Sequence, residues 1–286
     1  SSGKVGDAVK GACKGNEYVS LTGEVLDNIA SYDTMEIVYY NPIDGVKCDV
    51  SDYDSNNSIP GYKGVVPETN TLEQTSCLKW YKYSTNTDGS VNMILDHNTE
   101  VRTQYYTSQD NRYGPSNLMQ YLTLSEWAGV PTRSDKYIAY VDNSGTKTVK
   151  FTNATDNEVN YTGKKARLIT AREIAEITGA SSTISWNEQR ALSYWFYLDS
   201  KDTSTERSSS NPSEYYWLFE NLKDCATYGC KNQYQDVSSG NYGYWTSSPD
   251  VGNSSLAWFV QNRGSLYYDC VDISYGVRPV ITVSNS

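Results

Sequence analysis

Tyrosine dominates the aromatic content of this 286-residue chain: 26 Tyr and 7 Trp stand against 4 Phe. A ring with a hydroxyl at its tip sits best where one end is apolar and the other meets water or a partner. Half-buried strands offer that setting at every second position, and recognition surfaces offer it too, because Tyr makes contacts at little rotamer cost. Both readings predict a β-rich chain. Where the rings fall along the sequence decides between them.

The length is enough for one large domain or two modest ones. A net charge of −10, with no run of Lys or Arg, sets the chain against nucleic acid, whose phosphates it would repel. No stretch approaches the roughly 20 apolar residues of a membrane-spanning helix. The sequence opens without the charged and apolar regions of an export signal. Residues 1–12 read as the end of a helix, with Val5, Ala8, Val9 and Ala12 on one side.

Six cysteines occur, at Cys13, Cys48, Cys77, Cys225, Cys230 and Cys270. Cys225 and Cys230 bracket a short Gly-containing loop, and Cys48 and Cys77 flank a polar segment with Gly and Pro, so both pairs are disulfide candidates. With abundant Ser, Thr, Asn and Tyr, they predict an oxidising, extracytoplasmic setting. One histidine and no CxxC pair make a poor zinc site.

Glu36 to Tyr40 reads as a strand ended by Asn41-Pro42, and Ser51 to Gly64 as a surface loop. Cys77 to Tyr83 and Val91 to Asp96 read as paired strands across Asn86-Thr87-Asp88-Gly89. Pro115 to Trp127 has helical spacing. Ala166 to Gly179 is the best-punctuated helix: Thr170 and Glu173 form a capping box, Ile169 can staple on Ile174, and Gly179 supplies the stop. Trp186 to Leu198 and Glu214 to Leu222 are helical or irregular aromatic segments, and Ser200 to Pro212 is a polar loop. Beyond Gly243 the pattern turns to strand. Leu256 to Gln261 alternates, Asn262-Arg263-Gly264 signals a tight turn, and Ser265 to Val271 returns as partner. Gly276 to Val283 is the final strand.

Three segments in order, Ala166-Arg167-Leu168-Ile169-Thr170, Gly243-Tyr244-Trp245-Thr246-Ser247 and Gly276-Val277-Arg278-Pro279, carry a family likeness. The series resembles the C-type-lectin-like branch shared by formylglycine-generating enzymes and the variable proteins of diversity-generating retroelements. The resemblance implies that the first segment opens a core helix, the second forms a central strand and the third closes the domain. It also makes Phe259 to Tyr275 similar to a variable region, in which scaffold-like Trp258, Val260, Gly264, Leu266 and Val271 alternate with mixed chemistry. Adenine-directed mutagenesis of Asn-type codons yields most of the interleaved residues; Gln261 is an exception. A looser resemblance, through Tyr39-Tyr40-Asn41-Pro42, Cys77-Leu78-Lys79-Trp80-Tyr81 and Asn92 to Asn98, is to pilin-related bacterial surface proteins. Those are anchored by an apolar N-terminal helix that this sequence lacks, of which residues 1–12 would be the trimmed end.

Catalytic constellations are sparse. His97 has Asp96 only as a sequence neighbour, so no hydrolase triad is indicated. The copper site of formylglycine-generating enzymes needs two late cysteines, and Cys270 alone cannot reproduce it. Cys270 reads as a free thiol on the binding face or as a partner of Cys13. The Glu-Pro-Asn and Trp-Asn-Asp calcium segments of sugar-binding lectins are missing. Asp49, Asp52 and Asp54 would hold calcium only weakly, and solvated loop acids are the simpler account.

The expectation is an α+β chain, with a β-rich portion over 1–88 and a C-type-lectin-like domain over 89–286 bearing a ligand hairpin at 256–276. Its contact face is Phe259, Gln261, Arg263, Ser265, Tyr267, Tyr268, Asp269, Asp272, Ile273 and Tyr275. The expected role is ligand binding without catalysis, cofactor or metal, toward a protein or other cell-surface molecule, on a bacterial surface, a pilus or a phage particle. The alternatives are a structural pilin-like subunit and, less well supported, an oxidase of the formylglycine-generating kind.

Overall fold

Two sheets carry the architecture in the computed structural model, which describes residues 28–53, 77–96, 98–99, 101–138, 158–179, 194–195, 214–219, 243–250, 253–261 and 264–285. Strands β1 (Ile29–Asn41), β2 (Val46–Lys47), β3 (Leu78–Asn86), β4 (Val91–Leu95) and β13 (Val280–Val283) form the first, in the order β13-β4-β3-β1-β2. The second has six strands: β5 (Arg102–Gln104), β12 (Ser274–Gly276), β9 (Gly243–Pro249), β10 (Leu256–Gln261), β11 (Ser265–Cys270) and β8 (Tyr194–Trp195), in that spatial order. A small ribbon pairs β6 (Lys136–Ile138) with β7 (Glu158–Asn160). Among the described residues helices are few and short, and the chain is β-rich within the α+β class.

The β3–β4 hairpin shows how local chemistry sets the first sheet. Asn86 N–H donates to Ser90 O at 2.8 Å, and the Asp88 carboxylate accepts the Ser90 N–H at 2.9 Å. Gly89 takes φ +85°, a left-handed conformation that side chains resist. Partners across a ladder share a face, so Trp80 lies with Val38 and Leu95 on one side, where it meets Trp127 edge-on at 5.6 Å. Tyr81 and Tyr83 use the other side and pack on Trp217 at 5.8 and 6.1 Å. The sheet centre is therefore buried on both faces. Because β3 pairs with β4 and β4 with β13, strands from before and after residue 88 share one sheet, and a boundary at 88 cuts through a hairpin.

The capping box forms as expected. Thr170 Oγ1 accepts the Glu173 N–H, and the Glu173 side chain accepts the Thr170 N–H, both at 2.9 Å. It opens α2 (Ala171–Ile177), and Gly179 takes φ +75° just beyond it. The helix starts later than residue 166 because Arg167 is extended, in a backbone bridge to Val280. Between Pro115 and Trp127 the helical pattern gives only α1 (Ser116–Met119) and a 3-10 turn over Gln120–Leu122; Leu124, at φ 45°, turns the chain away. The final strand is split. β12 belongs to the second sheet and β13 to the first, and Val277 to Pro279 cross between them, Pro279 having no N–H to continue a ladder.

Cys48 and Cys77 are bridged, with Cα atoms 5.8 Å apart, and so tie the exit from β2 to the entry into β3. The bridge spans a sequence separation of 29, for which loop-closure entropy gives about 3–4 kcal/mol. Cys48→Ala together with Cys77→Ala is expected to lose roughly that much in urea unfolding; a loss under about 1 kcal/mol would contradict restriction of the unfolded chain as the bridge's contribution. Cys270 is also disulfide-bonded, which corrects the free-thiol expectation, and its partner lies outside the described residues. So do Cys13, Cys225, Cys230, His97, Arg263, the helix end at 1–12 and the loops at 54–64 and 200–212. Only Tyr194–Trp195 is described from the segment 186–198, as β8, and residues 214–219 hold a 3-10 turn. Among the described residues no helix is long and apolar enough to cross a membrane.

Candidate functional site

The β10–β11 hairpin has the register its alternation implies. Phe259 faces Tyr267, Ala257 faces Asp269 and Gln261 faces Ser265, so five of the expected contact residues share one side of the sheet. Trp258, Val260 and Leu266 share the other. Tyr268 goes with them, set edge-on against Trp258 at 5.7 Å.

The expected side is covered rather than open. Tyr275 lies flat on Phe259 with ring centroids 4.1 Å apart, and Trp245 meets Tyr275 edge-on at 5.0 Å. Trp245 in turn packs against Tyr105 at 5.5 Å and anchors its indole N–H on Thr103 O at 3.1 Å. Phe259, Ser265, Tyr267, Tyr268, Asp269 and Tyr275 are all buried, which corrects the expectation that they stand exposed on a contact face. The physical reason is the strand order: β9, β12 and β5 flank the hairpin on one side and β8 on the other, so it sits inside the sheet. Large rings at that position gain more from packing on each other than from solvent.

Asp269 lies at the centre of the cluster. Its carboxylate accepts the Tyr275 hydroxyl and, at 2.7 Å, the Cys270 N–H. Burial pushes its pKa from 3.8 up to about 6; the two hydrogen bonds oppose the shift and the Asp272 charge adds to it. A carboxyl with a raised folded pKa contributes stability that is complete below pH 3.8 and is lost as pH rises through about 6, here about 3 kcal/mol. Against an Asp269→Asn reference, the native chain should therefore lose relative stability between pH 4 and pH 7. A difference in unfolding free energy that stays flat over that range would contradict the assignment.

Gln261, Asp272 and Ile273 are the half-buried members of the expected set, but they do not converge. Gln261 sits at the hairpin tip opposite Ser265, while Asp272 and Ile273 follow the far end of β11, five residues or about 17 Å away along the strand. At that far end the side chains of β5 hold the β11–β12 turn by its backbone: Gln104 Nε2 donates to Asp272 O at 2.7 Å and Arg102 Nε to Ser274 O at 2.9 Å. Tyr106 N–H donates to Val271 O at 3.0 Å, and Gln109 Nε2 reaches the Asp272 carboxylate at 3.4 Å. Tyr113, 47% exposed, packs on Tyr106 at 5.7 Å beneath the Arg112 guanidinium. The result is a ridge of Arg112, Tyr113, Asp272 and Ile273 on a fixed backbone. Sequence reasoning missed Arg112 and Tyr113; the signal was there in Tyr105-Tyr106 and Arg112-Tyr113, a second aromatic and basic cluster outside the hairpin.

Two buried arginines position this sheet. Arg167 makes two hydrogen bonds to the Glu173 carboxylate, at 2.6 and 2.8 Å, and Tyr83 OH donates to the same carboxylate at 2.6 Å. Burial alone would lower the guanidinium pKa, yet Glu173 holds it well above its ordinary value. Arg278 donates to four backbone carbonyls, of Leu95, Asp96, Trp217 and Leu218, at 2.7–2.9 Å, and lies over the Tyr244 ring at 5.1 Å. Asn111 Nδ2 holds the β9–β10 connection through Asp250 O, Asn253 O and Leu256 O. Gly276 is required by close approach, since a Cβ there would collide with the Asn98 amide. Among the described residues no group of three or more His, Cys, Asp or Glu could hold a metal ion. Asp49 instead caps the 3-10 turn Val50–Asp52 by accepting the Ser51 N–H and hydroxyl.

Among the described residues β4 and β13 are the first and last strands after residue 88, and they pair. The stretch after residue 88 is also the one that defines the chain's family. The chain belongs to the family described as a domain of unknown function, DUF6273, which matches residues 89–285. No curated protein and no solved structure matches it.

Proposed function

We propose that the chain is a ligand-binding protein displayed outside the cytoplasm on a C-type-lectin-like scaffold, reading its partner with side chains of the hairpin tip and the β11–β12 ridge. The observation that carries this is the ridge itself: Asp272 and Ile273 stand on a turn whose backbone is bonded to Arg102 and Gln104, and Tyr113, under Arg112 on the neighbouring 3-10 turn, packs on Tyr106, which bonds Val271. Rigid presentation of aromatic, basic and acidic groups lowers the entropy lost on binding. The buried rings beneath, Phe259, Tyr275 and Trp245, are the support.

The lectin-like reading draws support from where its three segments lie. Arg167 to Thr170 lead into α2, Gly243 to Ser247 lie in β9 within the six-stranded sheet, and Val277 and Arg278 lead into β13. The Cys48–Cys77 bridge and the bonded state of Cys270 support an oxidising location such as a bacterial surface or pilus. A bonded Cys270 offers no thiolate for oxidase chemistry, which favours binding over catalysis.

Arrays of glycans and of purified surface proteins, probed with the labelled full chain, test the reading. A ligand is expected whose signal falls at least tenfold in the variant Tyr113→Ala, Asp272→Ala, Ile273→Ala, as loss of contact anchors should cause. Glu36→Ala, on the first sheet, should leave it unchanged. Silence on every array would favour a purely structural filament subunit, and equal loss in both variants would overturn the ridge as the contact surface.

A further inference from the structure

We propose that the outer edge of β13 is a strand-addition site for an extended, basic peptide. In an antiparallel ladder the backbone N–H and C=O of successive residues point alternately to the two sides. Val280 sends both groups away from β4: its N–H donates to Arg167 O at 2.8 Å, and its O accepts Arg167 N–H at 2.9 Å. Thr282, two residues on, therefore points its N–H and C=O outward too. The segment that pairs with Val280 has by then turned away, since Lys165 N–H donates to Leu122 O at 2.9 Å. Among the described residues, none bonds the outward N–H of Thr282.

A groove of about 610 Å³ runs along that edge, between the turn Asp88–Ser90, residues 131–135 and residues 282–285. Its size falls within the roughly 300–1,000 Å³ typical of ligand pockets. The far wall is held from behind: Arg133 N–H donates to Lys164 O at 2.7 Å, and Gly163 N–H donates to Arg133 O at 2.9 Å. The Arg133 side chain, 9% exposed, bridges the walls, bonding Thr282 Oγ1 at 2.9 Å and Asp135 at 2.8 Å, while its buried Nε has no hydrogen-bond partner among the described residues. Two facing walls with an outward-pointing strand edge leave the geometry of a missing strand. Charge selects the occupant. Arg133 is neutralised by Asp135, so Asp88 leaves the lining with a net negative charge that favours Lys or Arg in the added strand.

Panning a phage-displayed library of random seven-residue peptides on the full chain, with a Thr282→Pro chain in parallel, tests this. Thr282 N–H takes no part in the β4 ladder, so proline there should leave the β13–β4 bonds in place. The native chain is expected to enrich peptides rich in Lys, Arg and β-branched residues. For the best of them, Thr282→Pro should raise Kd about tenfold or more, and Asp88→Lys, on an exposed turn, at least threefold. N-methylation of alternate peptide residues should abolish binding in one phase and spare it in the other. Should Thr282→Pro fail to fold, Asp88→Lys and the N-methylated peptides decide the matter. Equal enrichment on both chains, no enrichment, or binding indifferent to Asp88→Lys and to N-methylation would overturn the proposal.

Discussion

Glu173→Gln should destabilise the chain by about 3–5 kcal/mol, the usual cost of removing one partner from a buried ion pair. Both side chains of the pair are only 1% exposed, so water cannot replace the missing charge for Arg167. Glu173 also accepts the Tyr83 hydroxyl and the Thr170 N–H, and thus joins the first sheet, the cap of α2 and the bridge to β13. The double variant Arg167→Met, Glu173→Leu should recover part of the loss, because no charge is then buried alone, though Tyr83 and Thr170 still lack their acceptor. Urea unfolding of the three chains measures both effects. A cost under about 1 kcal/mol for Glu173→Gln would mean that water reaches the pair.

Arg278→Lys should cost about as much, roughly 3–4 kcal/mol, and Arg278→Ala more. The planar fork of Arg278 serves carbonyls on two segments at once, Leu95–Asp96 and Trp217–Leu218. A lysine ammonium is a single point with three donors and cannot span them. The loss should be local as well as global. Hydrogen exchange in Arg278→Lys is expected to rise first in residues 214–219, whose Trp217 stacks on Tyr83. Uniform exchange across the sheets would contradict Arg278 as the tie between these segments.

What could be read from the sequence was local. The Thr170–Glu173 capping box, the Asn86–Gly89 turn and the register of Phe259 against Tyr267 each depend on residues close in the chain, and each forms. Alternation told which side chains share a face. It could not tell whether that face is covered, because the ring on Phe259 is Tyr275 and the rings beyond are Trp245 and Tyr105, from other segments of the chain. The same limit hid the wider role of Glu173, whose partner Tyr83 is 90 residues away, and that of Arg278, whose acceptors lie 60 to 183 residues back. The candidate site moved accordingly, from the buried rings of the hairpin to its tip and to the ridge at Asp272 and Ile273.

On the proposed reading a fixed scaffold presents a changeable binding face, and sequencing the same locus in related strains tests it most directly. Substitutions should concentrate between Phe259 and Tyr275, heaviest at the half-buried Asp272 and Ile273, with Trp258, Gly264 and Gly276 constant. Substitutions spread evenly over residues 89–285 would contradict it.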